Sequence, residues 1–283
     1  MSLSITDVIT RLFCPPAHQS FGTGWLIANR LALLTLAALV TVAAWALVLW
    51  GLGISPLVGK SPVNVVRFWL GWCGAAEARQ TIVENLGTTL WHALIGFVAG
   101  MSVALATAVL FTLYRPAERA LMPVAMLLRT FPLVALTPLI VMAFGRGASG
   151  VAVIGAIVVF FPTLVTVTIG LRSASPRALD LVRAYGGNRM TGLIKVGLPS
   201  AVPAIFASAR IAIPGAVTGA MVAEWLATGN GLGSHILRLV HAFRYEELWA
   251  ATAAITLIVV LIYALVSVAE AMVLGRLSLD SDD

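Results

Sequence analysis

The sequence predicts an all-α polytopic membrane protein, because its composition is strongly apolar and its apolar residues fall in long runs. Hydrophobic residues fill 60% of the 283 positions, charged residues fill only 11%, and the mean hydropathy is +0.98. A soluble domain has about 45–50% apolar and about 25% charged residues, so this chain has too little charge to cover a water-exposed surface. The composition excludes a soluble enzyme, a disordered chain and a disulfide-stapled secreted module.

Six apolar runs are long enough to cross a bilayer, since a span takes about 20 residues at about 1.5 Å each. They cover residues 31–50, 88–113, 120–144, 151–171, 201–226 and 249–274. No linker or internal repeat divides the chain further. We therefore expect a short cytoplasmic tail over residues 1–27 and one membrane domain over residues 28–283.

The net charge of +6 indicates orientation rather than a nucleic-acid partner, because basic residues accumulate in cytoplasmic loops. With the N-terminus inside, ten Lys and Arg lie on the inner side and six on the outer side. Residues 172–195 alone carry five basic residues and one acid. We expect both termini to be cytoplasmic and no nucleic acid to bind.

The inner segment 172–199 is too long for a turn, and its pattern predicts two short amphipathic helices. Residues with capping preferences mark their limits: Ser175-Pro176 and Asn188 as starts, Gly186-Gly187 and Gly197-Leu198-Pro199 as ends. The apolar stripe of such a pair either lies on the membrane interface or docks on a soluble partner. The pattern alone favours neither role.

Within this segment the chain reads DLVRAYGGNR from Asp180 to Arg189 and VGLP up to Pro199. An acid, a glycine six positions later and a following Leu-Pro resemble the EAA loop of binding-protein-dependent ABC import permeases. Asp180 replaces the usual Glu of that loop, and Leu181 and Val182 replace its two alanines. Further similar motifs run in order through residues 61–236: SP, LRTFP, TPL, ARIA, AE and GLG. The sulfonate, taurine and nitrate importer permeases are the most similar group.

The resemblance implies a type I ABC importer permease fold with a cytoplasmic coupling helix, in the bacterial inner membrane. It implies a dimer of permeases, two cytoplasmic ATP-binding subunits and an external substrate-binding protein as partners. ATP and Mg would be held by the ATPase subunits, with no cofactor on this chain. The residues placed in the ATPase-docking loop are Asp180, Arg183, Ala184, Tyr185, Gly186, Gly187, Arg189 and Pro199.

Charged residues inside predicted spans face a partner or a wet cavity, because an isolated charge in lipid is costly. Three of these charges, with an aromatic residue and a proline beside one of them, are candidates for the translocation path or gate: Arg129, Phe131, Pro132, Arg210 and Glu224. Helix packing is the alternative role for the charges. We expect Glu270 to be a solvated helix end, and prolines at 132 and 138 to kink the third span.

Two glycine pairs, Gly96 with Gly100 and Gly215 with Gly219, predict closely packed helix faces.

The outer segment 227–248 is either a docking surface for the binding protein or a re-entrant helix. The histidines lack the spacing of a metal site.

A secondary transporter and an intramembrane enzyme are the alternative functions. No inverted repeat, H-E-x-x-H or G-x-S-x-G motif supports either of them. A possible phosphate loop at residues 53–61 has the wrong glycine spacing, so the chain has no ATP site of its own. We expect transport of a small anion such as a sulfonate, taurine or nitrate, driven by ATP hydrolysis elsewhere.

Overall fold

The computed structural model describes Leu36, residues 39–71 and residues 75–279, and the described part contains helices but no strand. The predicted tail and the first part of the first predicted span lie outside the described residues. The chain divides into two compact units, residues 1–62 and residues 63–283. In the first unit, helix α1 (Leu39–Gly51) is apolar but shorter than a full span.

The remaining described helices lie in the second unit, apart from Pro62 at the start of α2, and they include long apolar helices and several short ones. Their bounds are α2 Pro62–Trp69, α3 Ala76–Leu113, α4 Arg115–Arg129, α5 Leu133–Phe144, α6 Ala148–Arg172, α7 Pro176–Ala184, α8 Arg189–Gly192, α9 Leu198–Ala223, α10 Leu232–His241 and α11 Tyr245–Leu279. Two π-helical turns flank α9, at Leu193–Gly197 and at Glu224–Thr228.

Helices α3, α6 and α9 form the core of this unit, and glycines allow them to approach closely. A Cβ atom on Gly96 of α3 would lie 2.9 Å from the Cα of Gly155 on α6. On the other side of Gly155, a Cβ atom on Gly219 of α9 would lie 3.3 Å from the same Cα. The closely packed faces predicted for the glycine pairs are confirmed at these two positions. Buried Ile82, Ile154 and small alanines fill the space around them.

Four described helical segments are long and apolar enough to cross a membrane: Ala76–Leu113, Ala148–Arg172, Arg189–Thr228 and Tyr245–Gly275. Helices α4 and α5 pass the same test together, but they are bent by 105° at the break between them. The kink predicted at Pro132 in the third span, residues 120–144, is thus confirmed, and it takes the form of a sharp break between two helices. Pro132 is extended (φ −62°, ψ 117°) and disfavours helix in the residue before it, which places the break there. Pro138 remains inside α5.

Candidate functional site

Helix α7 lies at the end of the bundle where α3 and α6 end and α9 begins, which we call the loop end. The Arg183 Nη1 atom lies 3.0 Å from Asp180 Oδ1, and both side chains are 70% exposed. An exposed ion pair of this kind stabilises a helix by only about 0.3–0.5 kcal/mol. Tyr185, next to the last residue Ala184, is 85% exposed and Leu181 is 60% exposed. The polar and apolar groups of α7 are thus accessible to a partner.

A glycine turn holds α7 against α8. Gly186 has a φ of +79°, a conformation that favours glycine, and it ends the helix as predicted. A Cβ atom on Gly187 would lie 2.5 Å from Val182 Cγ1, so the chain returns tightly against α7. The Asn188 side chain accepts a 2.9 Å hydrogen bond from the backbone N–H of Thr191, which confirms Asn188 as the next cap. Ser175 is the N-cap residue of α7, as predicted, with Pro176 in the first turn, although the Ser175 side chain makes no capping hydrogen bond.

The second short helix does not end at the predicted stop Gly197-Leu198-Pro199. It passes through the π-helical turn and runs directly into α9, giving one helical segment from Arg189 to Thr228. Pro199 closely follows the π-helical turn, and because it has no backbone N–H it cannot make an i→i−4 hydrogen bond at this point of the continuous helix. The π-helical turn at Leu193–Gly197 is a widened turn of the helix and not a break, because its geometry accommodates Lys195 and its neighbours. The loop end is therefore joined to the span by continuous helix.

At the far end of this helical segment, Glu224 is fully buried and its carboxylate is held by three groups. Oε2 accepts hydrogen bonds from Thr89 Oγ1 at 2.7 Å and from the backbone N–H of Gly233 at 3.0 Å. His92 Nδ1 lies 2.8 Å from Oε1. A buried carboxylate is stable only with such partners, so Glu224 ties together α3, the end of α9 and α10. We call these groups the Glu224 cluster.

The backbone entering α10 fits closely around this cluster. Thr89 Oγ1 also accepts a 2.8 Å hydrogen bond from the N–H of Leu232. A Cβ atom on Gly231, where φ is +89°, would lie 2.2 Å from the Cδ atom of Glu224. Only glycine meets both requirements at this position. The π-helical turn that starts at Glu224 lies at the same place, and such turns are frequent at functional sites.

Arg210 pairs with Glu270, not with Glu224. Its Nη1 atom lies 3.0 Å from Glu270 Oε2, and the guanidinium lies 6.0 Å from the ring centre of Tyr263. The Glu270 side chain is only 13% exposed, so the prediction of a solvated helix end is wrong. Both groups lie in apolar helices, α9 and α11, where pairing offsets the cost of burying each charge. The pair therefore joins these two helices.

The remaining path candidates lie at the bend between α4 and α5. Arg129 is the last residue of α4 and is exposed, as are Phe131 at 56% and the extended Pro132. Within the described residues no ion pair or hydrogen bond joins Arg129 to Arg210 or Glu224. The structure thus separates the five candidates into the bend, the Arg210–Glu270 pair and the Glu224 cluster.

Sequence reasoning did not find the partners of Glu224. Thr89 and His92 are three residues apart on one face of α3, where its apolar part begins, and polar groups inside a span require a partner. Glu224, just after the end of α9, was the acid available to pair with them.

On α10, His235 is buried and its Nε2 has no hydrogen-bond partner among the described residues. Burial, with help from Arg238 and Arg244, lowers the pKa of His235.

In the described part of the chain, no group of three or more His, Cys, Asp or Glu side chains could hold a metal ion. Apolar helices long enough to cross a membrane, closely packed on glycine and joined by a charged pair, instead define an integral membrane protein. Residues 96–278 match the family model described as binding-protein-dependent transport system inner membrane component. The chain belongs to this family, and its members are ABC transporter permeases that work with ATPase and binding-protein partners.

Curated relatives agree with this assignment. The chain is 30% identical to the riboflavin transport system permease protein of Chloroflexus aurantiacus, over 79% of this chain and 84% of that protein. It is also 30% identical to the putative aliphatic sulfonates transport permease protein of Escherichia coli, over 68% and 72%. A crystal structure of an amino acid ABC transporter matches 72% of this chain and 97% of its own with a TM-score of 0.54 and 16% identity. That likeness confirms the type I permease fold.

Proposed function

We propose that this chain forms half of a substrate pathway, as a homodimer or beside a similar permease, in an ATP-driven importer. The family match over residues 96–278 is the observation that carries this proposal. The described part of one chain supplies four candidate spans, or five with the bent pair α4 and α5, and a second copy would complete the pathway. Both termini would face the cytoplasm, which the bias of basic residues toward the loop end supports.

The ATPase subunits dock on α7 and the glycine turn after it. Support comes from the exposure of Tyr185 and Leu181 at the loop end and from the accessible Asp180–Arg183 pair. Gly186, Gly187 and the start of α8 at Arg189 hold this surface in place, while the partners hold ATP and Mg. The direct continuation of α8 into α9 would carry the motion of the docked helix into the membrane.

Cysteine cross-linking in the assembled complex tests this docking site. Tyr185→Cys is expected to form a disulfide with a cysteine placed on the ATPase subunit. Adding nucleotide should change the yield of this cross-linked product. Gly147→Cys is the matched control, because Gly147 is also exposed but precedes α6 at its other end. Absence of any Tyr185→Cys product, with normal complex assembly, would contradict docking on α7.

The Arg210–Glu270 pair and the Glu224 cluster are proposed as gate elements, and the bend at Arg129, Phe131 and Pro132 as a wall of the path. Support comes from their charge and burial inside apolar helices. The external binding protein would dock on α10 and the turn after it. Arg238, His241 and Phe243 are exposed there, and Phe243 has a positive φ of 57°.

The proposed substrate is a small anion such as a sulfonate, taurine or nitrate, which the sulfonate permease relative supports. A flat heterocycle is the second candidate, since the riboflavin permease relative is equally identical over more of the chain. Uptake of labelled taurine, nitrate and riboflavin into vesicles containing the full complex separates the two. Taurine or nitrate uptake that depends on ATP is expected. ATP-dependent uptake of riboflavin alone would favour the heterocycle.

A further inference from the structure

A deep groove opens at the loop end between α4 on one side and the segment α7–α8 on the other. Its volume is about 1230 Å³, and the ends of α3 and α6 close it at Leu113 and Arg172. This exceeds the roughly 300–1,000 Å³ of ordinary small-molecule sites. The groove is therefore large enough for part of a lipid molecule.

The rim of the groove is strongly basic. Five arginines line it, against Glu118 as the one acid: Arg115, Arg119, Arg172, Arg183 and Arg189. Glu118 is paired with Arg172, and Arg183 is paired with Asp180.

Three of these arginines keep their positive charge uncompensated. Arg115 and Arg119 form no ion pair within the described residues, and Arg189 only reaches the carbonyl of Leu113 at 3.5 Å. Their guanidinium groups are free to hold an anion. Arginine is the side chain whose planar fork best matches a phosphate group.

Below the basic rim, the wall that α4 contributes becomes apolar. Met122, Pro123 and Met126 follow Arg115 and Arg119 along the same side of this helix, and Leu193 faces them across the groove. Helix α4 has no fully buried residue, and its other face exposes Leu121 and Leu127. This pattern places the charges of α4 at the level of the headgroups and its apolar side chains toward the acyl chains.

We propose that this groove binds an anionic phospholipid, with the phosphate between Arg115, Arg119 and Arg189 and an acyl chain along Met122 and Met126. Basic pockets at the ends of spans recognise acidic headgroups in this way. Methionine side chains adapt to a flexible acyl chain. The bound lipid bridges α4 to the α7–α8 segment, so it fixes the position of the docking helix relative to the bundle.

Native mass spectrometry of the full chain in detergent, titrated with phosphatidylglycerol or phosphatidylcholine, tests the site. The chain is expected to retain phosphatidylglycerol preferentially. The double variant Arg115→Gln/Arg119→Gln should weaken its retention by about fivefold for each arginine removed. Arg177→Gln is the matched control, because Arg177 is exposed on α7 but does not line the groove.

Equal retention of the two lipids, or full retention by the double variant, would overturn the proposal. Inorganic phosphate that displaces the lipid at equal concentration would assign the site to a free anion instead. Displacement by the ATPase subunits would assign the groove to a protein contact. If the double variant does not fold, Arg115→Lys/Arg119→Lys keeps the charge, and the loss of the planar fork should still reduce retention measurably.

Discussion

Thr89 and Glu224 are 135 positions apart in the sequence, yet the Thr89 hydroxyl donates a 2.7 Å hydrogen bond to the Glu224 carboxylate. The same hydroxyl oxygen accepts a hydrogen bond from the N–H of Leu232, so the Thr89 side chain joins α3 both to the end of α9 and to the start of α10. Because the carboxylate is fully buried, each lost partner leaves part of its charge without compensation. The packing of α10 on the bundle therefore depends on this contact.

Thr89→Val keeps the shape of the side chain and removes both hydrogen bonds. We expect the free energy of unfolding to fall by about 1.5–3 kcal/mol, the range for a hydrogen bond to a charged group. Thr89→Ser, which retains the hydroxyl, is the control and should lose much less. Denaturant unfolding of the purified chain measures both variants, and equal stability of the two would contradict the assigned role of the hydroxyl.

Gly231→Ala and Gly229→Ala form a matched pair at the same turn. Both glycines have a positive φ, +89° and +71°, so alanine is strained at either one. Only at position 231 does the added methyl group clash with Glu224, while position 229 has open space. We expect Gly231→Ala to lower the melting temperature well below that of Gly229→Ala. Equal losses would mean that backbone strain alone sets the effect and that the clash relaxes freely.

Gly186→Val should uncouple ATP hydrolysis from uptake in the reconstituted complex while membrane insertion stays normal. Space is open around Gly186, but its φ of +79° excludes a β-branched residue, so the turn after α7 must change. Gly186→Asn is the control, because asparagine tolerates this conformation. Wild-type uptake by the valine variant would show that the turn geometry is not needed for coupling.

Arg210→Ala leaves the half-buried Glu270 carboxylate without its ion-pair partner. We expect uptake to fall more than tenfold, while the complex still assembles. Adding Glu270→Ala removes the unpaired charge and should restore stability without restoring uptake. If the double variant recovers both uptake and assembly, the pair serves packing alone. Uptake assays together with size-exclusion chromatography separate these outcomes.

His235 gives helix α10 a pH dependence of known sign. Its pKa is lowered in the folded protein by burial and by Arg238 and Arg244, so folding favours the neutral imidazole. The stability is fully present above the unfolded pKa of about 6.5 and declines as the pH falls below it. Thermal unfolding between about pH 5 and pH 8 should show this slope. The slope should disappear in His235→Gln and persist in the exposed control His241→Gln.

The sequence predicted most of the fold because long apolar runs and capping residues act locally. The start of α7 at Pro176 and its stop at Gly186 follow from conformational preferences of single residues. The kink at Pro132 was predicted, but neither its size of 105° nor the continuation of the helix past Pro199 was. Both depend on packing, since a proline is compatible with either a break or a first helical turn. Sequence spacing does not decide between them.

The candidate sites were only partly predictable for the same reason. A charge inside a span predicts that a partner exists, but the partner comes from another helix. Arg210 and Glu224 share one helix, and their partners Glu270 and Thr89 lie on α11 and α3. Periodicity places residues on a face, and only the assembled bundle determines which faces meet. The basic groove likewise combines residues from α4 and the α7–α8 segment.

The uninterrupted helix from Arg189 to Thr228 has 40 residues. At 1.5 Å per residue such a helix measures about 60 Å, roughly twice the hydrocarbon thickness of a membrane. Pivoting about its middle by roughly 5° would move each tip by about 2.6 Å in opposite directions. Such a displacement is enough to break the hydrogen bonds around Glu224. A rigid-body tilt of this helix would therefore couple the loop end to the Glu224 cluster directly, with no intermediate side chains.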